Sequence, residues 1–212
     1  KDHILHATYK SKIGKFVAYA YLLEVDNDTD NALDTYGVSY DGKMKGDSIN
    51  WAYGAEFATQ SSEAGAGETA TDFDASYLNA YLAATFSGVT AKVDYEVLGS
   101  DDGLYGFATP LATLHKFNGW TDQFLGTPAQ GLQDLKFSLS GALAGGKWLL
   151  AYHDFSADDS SNGVDDLGSE FNVQYTKKFS GKYNFGIKYG TYDAGDIKVD
   201  ANRFWMWVGT RF

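Results

Sequence analysis

The last ten residues, RFWMWVGTRF (203–212), decide how the rest of the chain is read. In an extended strand successive side chains point to opposite sides. Phe204, Met206, Val208, Thr210 and Phe212 then share one face, and Arg203, Trp205, Trp207, Gly209 and Arg211 share the other. One side suits hydrocarbon, while the other carries two guanidinium groups. Such a strand predicts a sheet with one apolar side and one wet, charged side.

Composition agrees with that reading. The 212 residues include 24 Gly, 2 Pro, 15 Tyr, 14 Phe and 5 Trp, a profile of many strands joined by glycine-containing turns. Cysteine is absent, so neither a disulfide framework nor a thiolate metal site is available. The formal net charge of −11 argues against nucleic acid as a partner, since phosphate binding needs a basic surface. No apolar run approaches the roughly 20 residues of a spanning helix. A transmembrane barrel needs none, because it crosses with alternating segments of about ten residues.

Period-two runs recur along the chain and predict eleven strands, at 3–10, 15–24, 35–42, 48–60, 75–87, 89–99, 132–143, 147–156, 168–179, 182–193 and 202–212. In 89–99, Val89, Ala91, Val93, Tyr95 and Val97 oppose Thr90, Lys92, Asp94 and Glu96. In 132–143, Leu135, Phe137, Leu139 and Leu143 oppose Asp134, Lys136, Ser138 and Ser140. Short connections (12–15, 42–47, 87–89, 144–147, 180–182) take turns with long ones (26–34, 61–74, 100–131, 156–166, 193–201). Eighteen of the 28 acids fall in the long set, whereas the short turns carry Lys12, Lys15, Lys43, Lys45, Lys147 and Lys182. Strict short/long alternation around up-and-down strands is the plan of an outer-membrane barrel.

Soluble barrels and sandwiches alternate too, with the apolar face turned into a core. Two details favour lipid outside. Aromatic residues gather near strand ends, as interface girdles do (Tyr9, Tyr21, Tyr36, Phe57, Phe86, Trp148, Phe179, Tyr183). The polar faces hold charges of both signs, which can pair across a wet lumen. The expectation is an all-β, transmembrane, antiparallel up-and-down β-barrel forming one domain over 1–212. Bacterial barrels have even strand numbers, and an open edge cannot face hydrocarbon. An odd count of eleven therefore predicts the carboxy-terminal part of a longer chain.

Segment 103–131, GLYGFATPLATLHKFNGWTDQFLGTPAQG, holds both prolines and does not alternate. It resembles the TPLATLH-FNGW-D-FL-TP block of the alginate-export family of outer-membrane porins. YAYLLEVDN (19–27), YGVSYDG (36–42), YEVLGSDDG (95–103), YHDFSAD (152–158) and the end strand are similar to that family as well. The resemblance implies a barrel of about eighteen strands. It also implies a basic, polyanion-conducting lumen, which the residues do not support. Lys10, Lys92, Lys136, Lys178, Lys188, Arg203 and Arg211 are nearly balanced by Asp41, Glu56, Asp94, Glu96, Asp134 and Glu170.

The expected function is passive diffusion of small hydrophilic solutes, sugars or carboxylates among them, through the bacterial outer membrane, without cofactor or covalent chemistry. Membrane lipid and lipopolysaccharide are the expected surroundings. Segment 103–131 either constricts the lumen, with His115, Lys116, Trp120, Asp122 and Gln123 meeting solute, or plugs it with its own Phe and Leu residues. Arg203, Arg211, Lys136 and Lys188 either form an anion-favouring wall or pair with carboxylates such as Asp134 and Glu170. DNDTD (26–30) lacks the spacing of a calcium loop, so no metal is expected. His153 and Asp154 suggest a hydrolase, but adjacent strand residues face opposite sides and cannot form a dyad.

Overall fold

The computed structural model describes residues 1–25, 31–63, 72–112, 115 and 117–210, and among them there is no helix. The strands are β1 (His3–Lys10), β2 (Lys15–Val25), β3 (Asn31–Lys45), β4 (Asn50–Glu63), β5 (Phe73–Phe86), β6 (Val89–Leu98), β7 (Ser100–Asp101), β8 (Tyr105–Gly106), β9 (Leu132–Leu143), β10 (Gly146–Ser156), β11 (Asp166–Phe179), β12 (Tyr183–Asp193) and β13 (Ala201–Thr210). Eleven form a single antiparallel sheet in the order β1-β2-β3-β4-β5-β6-β9-β10-β11-β12-β13. Each strand lies beside its sequence neighbour except where 99–131 intervenes between β6 and β9. The sheet is open, with β1 and β13 as its edges.

All eleven expected strands are present, and several run further than their alternation showed. β3 continues to Asn31 because its ladder with β2 holds to Val25↔Asn31, and to Lys45 because its ladder with β4 holds to Lys45↔Asn50. Lys43 and Lys45 are therefore strand residues and not turn residues, and so are Asp34, Glu63 and Asp74. The expected long connection 26–34 shrinks to 26–30, which lies outside the described residues, as do Glu68, Lys116, Arg211 and Phe212. A further difference is the two-stranded ribbon β7–β8, inside what the sequence presents as plain loop.

Three of the tight turns explain how the hairpins close. Ser87 and Gly88 have φ of 48° and 80°, Ala144 and Gly145 have 51° and 77°, and Ser180 and Gly181 have 49° and 68°. Two consecutive left-handed residues make the turn whose twist matches that of the flanking strands.

Register sorts every strand residue onto one of two faces. One row runs Lys10-Lys15-Asp41-Gly54-Tyr81-Asp94-Lys136-His153-Glu170-Tyr192-Ala201 across all eleven strands. That is the polar face. On the reverse side Phe204, Met206 and Val208 of β13 are 65%, 66% and 74% exposed. Tyr9, Phe16, Tyr40 and Tyr53 follow one another across β1 to β4 there, with ring centroids 6.4, 4.7 and 6.1 Å apart. An apolar face this extensive, left open and rimmed by aromatic rings, is what an acyl-chain environment requires. Tyr21 does not belong to that rim. It pairs with Ile4 and Thr35 on the polar face and stacks on Tyr19 at 5.0 Å.

The buried core lies on the polar side, at the end of the sheet where the long connections emerge. Leu98, Leu132, Phe155, Leu167 and Tyr192 from the strands enclose Phe107 and Phe124 from 99–131. The long segment thus behaves as a strap laid across the charged face.

Candidate functional site

The strap is fastened to the polar face at successive points. At its start, Gln60 of β4 treats Ala108 as another peptide group. Its Nε2 donates to Ala108 O at 2.9 Å, and its Oε1 accepts from Ala108 N at 2.7 Å. The same Oε1 accepts from Tyr105 OH at 2.7 Å, and Nε2 also donates to Thr35 Oγ1 at 2.9 Å. Gln60 is 2% exposed and fully satisfied, which is what a buried amide needs. Next, Asn118 Nδ2 donates to Glu96 Oε2 of β6 at 2.7 Å.

Glu170 of β11 makes the third fastening. Its carboxylate accepts from Trp120 N, from Thr121 N at 3.0 Å and from Thr121 Oγ1 at 2.5 Å. Glu170 and Thr121 are 1% and 0% exposed. Gly119 makes the turn possible: its φ is +82°, and a Cβ there would strike the Glu170 carboxylate. Beyond the turn Asp122 accepts from Arg203 of β13 and bonds to His115 Nδ1. Lys188 Nζ of β12 lies 2.6 Å from His115 Nε2, 4.9 Å from the Trp120 ring centroid and 4.3 Å from that of Trp205.

His115, Trp120, Asp122, Lys188 and Arg203 therefore come together in one cluster, with Glu170 behind it. The other expected site residues stand apart. Gln123 Nε2 turns back to Thr121 O at 3.3 Å. Lys136 lies in register between Asp94 and His153. Asp134 bonds to His153 Nδ1 at 2.8 and 3.0 Å, both side chains almost fully buried. Lys116 and Arg211 lie outside the described residues.

Of the two alternatives for the basic wall, pairing with Asp134 or Glu170 is not found among the described residues. Arg203 takes Asp122, Lys188 takes His115, and Glu170 serves strap N–H groups. His153 and Asp154 do point apart, and the partner of His153 comes from the neighbouring strand β9. Trp205, Thr121, Gly119 and Gln60 escaped the sequence reading. Trp205 alone had a signal there, since it shares a face with Arg203.

Chemically, the cluster is two cations and a carboxylate joined through an imidazole, with two indole faces beside the ammonium. Such a group can hold anions or hydroxyls by hydrogen bonds and stack flat solutes on Trp. Among the described residues no group of acids and histidines is arranged to hold a metal ion.

No protein-family model matches the sequence and no curated protein matches it, so the alginate-export resemblance rests on the quoted residues alone. A solved structure does resemble it: the outer-membrane porin OccK9 (OpdG) of Pseudomonas aeruginosa, at a TM-score of 0.65 and 15% identity. The match covers 97% of this chain and 54% of that one, so the chain spans about half the length of the porin it resembles. At this identity the likeness is one of fold: eleven antiparallel strands laid out as in a porin-type β-barrel.

Proposed function

We propose that the chain forms part of an outer-membrane porin through which small hydrophilic solutes diffuse, with the strap narrowing the lumen. The sheet closes with further strands paired to β1 and β13, since neither edge can remain bare in hydrocarbon. The observation that carries this reading is the inversion of the two faces. Large apolar side chains are exposed on one side, and carboxylates, the His153 imidazole and amides are buried on the other, strap-bearing side. A soluble sandwich has the opposite arrangement.

Transport requires no bond making. A solute entering from the long-connection side meets the strap and passes the cluster of His115, Asp122, Lys188 and Arg203. The near balance of charge suits sugars and small carboxylates better than a polyanion. The alginate-export assignment is thus the less favoured form of the same reading.

Single-channel recording of the full-length protein in planar bilayers tests it. Discrete conductance is expected, and removal of 108–125 should raise it. Absence of any conductance overturns the porin reading. It would then favour a closed barrel, for which the fastening of the strap to β4, β6, β11 and β13 is the supporting observation.

A further inference from the structure

Under the strap, away from the lysine–arginine cluster, lies a cavity of about 370 Å³. Its strand walls are Tyr19 and Tyr21 of β2 and Tyr77 of β5, and the strap covers it with Phe107, Phe117 and Phe124. The rings are packed against one another: Tyr19 on Tyr21 at 5.0 Å, and Tyr77 on Phe107 at 5.5 Å. Two carboxylates also line it, Glu56 of β4 and Glu96 of β6. They share a row of the polar face, one on either side of Asn79.

What holds these carboxylates is uncharged. Tyr19 OH donates to Glu56 Oε1 at 2.6 Å, and Tyr77 OH donates to Glu96 Oε1 at 2.7 Å. Asn118 occupies the second oxygen of Glu96, and Glu56 Oε2 accepts nothing from the described residues. Neither glutamate forms an ion pair with a described Lys, Arg or His, although Asp41, Asp94, Asp122 and Asp134 all do. Two carboxylates are thus fixed in place in a chamber faced by π-systems, with no ion-pair partner among the described residues and only the more distant charge of Lys136 on β9 acting on Glu96. A neutral sugar can use the aromatic faces and donate its hydroxyls to the carboxylates but leaves their charge unmatched, and an anion is repelled. A cation satisfies both features at once: Coulomb attraction to the glutamates, and the negative faces of the rings around its apolar body.

We propose that this chamber is a binding site for a small organic cation, an ammonium or guanidinium group carried on a compact apolar body. At about 370 Å³ the chamber falls within the usual range for small-ligand sites, about 300–1,000 Å³. The inference uses the channel reading only for how the cation arrives.

Choline is the probe, and 3,3-dimethylbutan-1-ol, its neutral isostere, is the control. Choline should interrupt the current of single wild-type channels and titrate calorimetrically into the full-length protein in detergent, and the isostere should do neither. Glu56→Gln and Glu96→Gln should each weaken choline binding by about tenfold, as expected for loss of roughly 1.4 kcal/mol of charge interaction. Tyr21→Leu, which leaves both glutamates in place, should weaken it by several-fold. If a glutamine variant fails to fold, the Tyr21 variant decides. Equal binding of choline and the isostere, or binding unchanged in the variants, overturns the proposal. A protein that carries no current yet titrates choline with this pattern overturns the channel reading and supports the chamber.

Discussion

The two ends of the strap are fastened by different chemistry. At Gln60 every bond is neutral and at least partly buried, the two to Ala108 are peptide-like, and Phe107 and Phe124 of the strap belong to the apolar core. At Asp122 the bonds are ionic, the Arg203 side chain is 45% exposed, and an imidazole stands between the carboxylate and an ammonium. The neutral end behaves as scaffold, indifferent to salt. The charged end is exposed to the medium and can exchange its partners with a solute. Glu170 lies between them, an anion serviced by backbone N–H groups, which ties the exposed cluster to the rigid part.

The comparison breaks most visibly at Gln60. Gln60→Leu leaves Ala108 N–H and Ala108 C=O without their partner in a partly buried setting, a cost of about 2–4 kcal/mol. Urea unfolding from vesicles should show the loss, and 103–131 should become susceptible to protease in folded protein. Glu170→Gln should cost somewhat less, about 1.5–3 kcal/mol, because an amide presents only one oxygen to three donors. Gly119→Ala forces a left-handed side chain into that same carboxylate and should cost about 1–2 kcal/mol. Because both changes act on one contact, the double variant should lose less than the sum of the two. Strict additivity would mean that Glu170 does not hold the turn.

Arg203→Gln sharpens the contrast. A half-exposed pair contributes below about 1 kcal/mol, so global stability should hardly move. Local protection of 117–123 should instead fall with added salt in the wild type and be flat in the variant. If Gln60→Leu and Arg203→Gln loosened the strap equally, the division into scaffold and responsive end would be wrong.

Strands were legible because alternation is a local property: each run declares its two faces without knowing its neighbours. The end strand shows this best, with Phe204, Met206 and Val208 all on the open side. Tyr21 misled because an aromatic near a strand end looks the same whether it faces lipid or a chamber, and only the register with Ile4 and Thr35 separates the two. The site was legible in residue types and not in partners. His115, Trp120, Asp122, Lys188 and Arg203 were all singled out, yet Arg203 lies 81 residues from Asp122 and Lys188 lies 73 from His115. No spacing rule reaches so far. Gln60 gave no signal at all, since one amide on a polar strand face is ordinary until a strap crosses it.

The smallest expected effect lies outside the strap, in the connection 194–200 after β12. Asp196 accepts from the backbone N–H groups of Asp165 and Asp166 at 3.0 Å each, and those bonds hold its carboxyl below the usual range. A depressed folded-state value means that the stabilising contribution is present above the unfolded carboxylate value, about 3.9. It is lost as pH falls through the lower, folded value. Amide exchange at Asp165 and Asp166, corrected for intrinsic rates, should therefore show constant protection from neutral pH down to roughly 5 and a decline below about 4. Asp165, Asp166, Asp193 and Asp200 stand close by in the sequence, so the wild-type curve alone does not isolate one carboxylate. Asp196→Asn isolates the one in question: it keeps an acceptor oxygen but has no charge to lose. The difference between the two proteins should be present at neutral pH and vanish in acid. A difference that persisted unchanged at low pH would show that the bonds depend on the shape of the side chain and not on its charge.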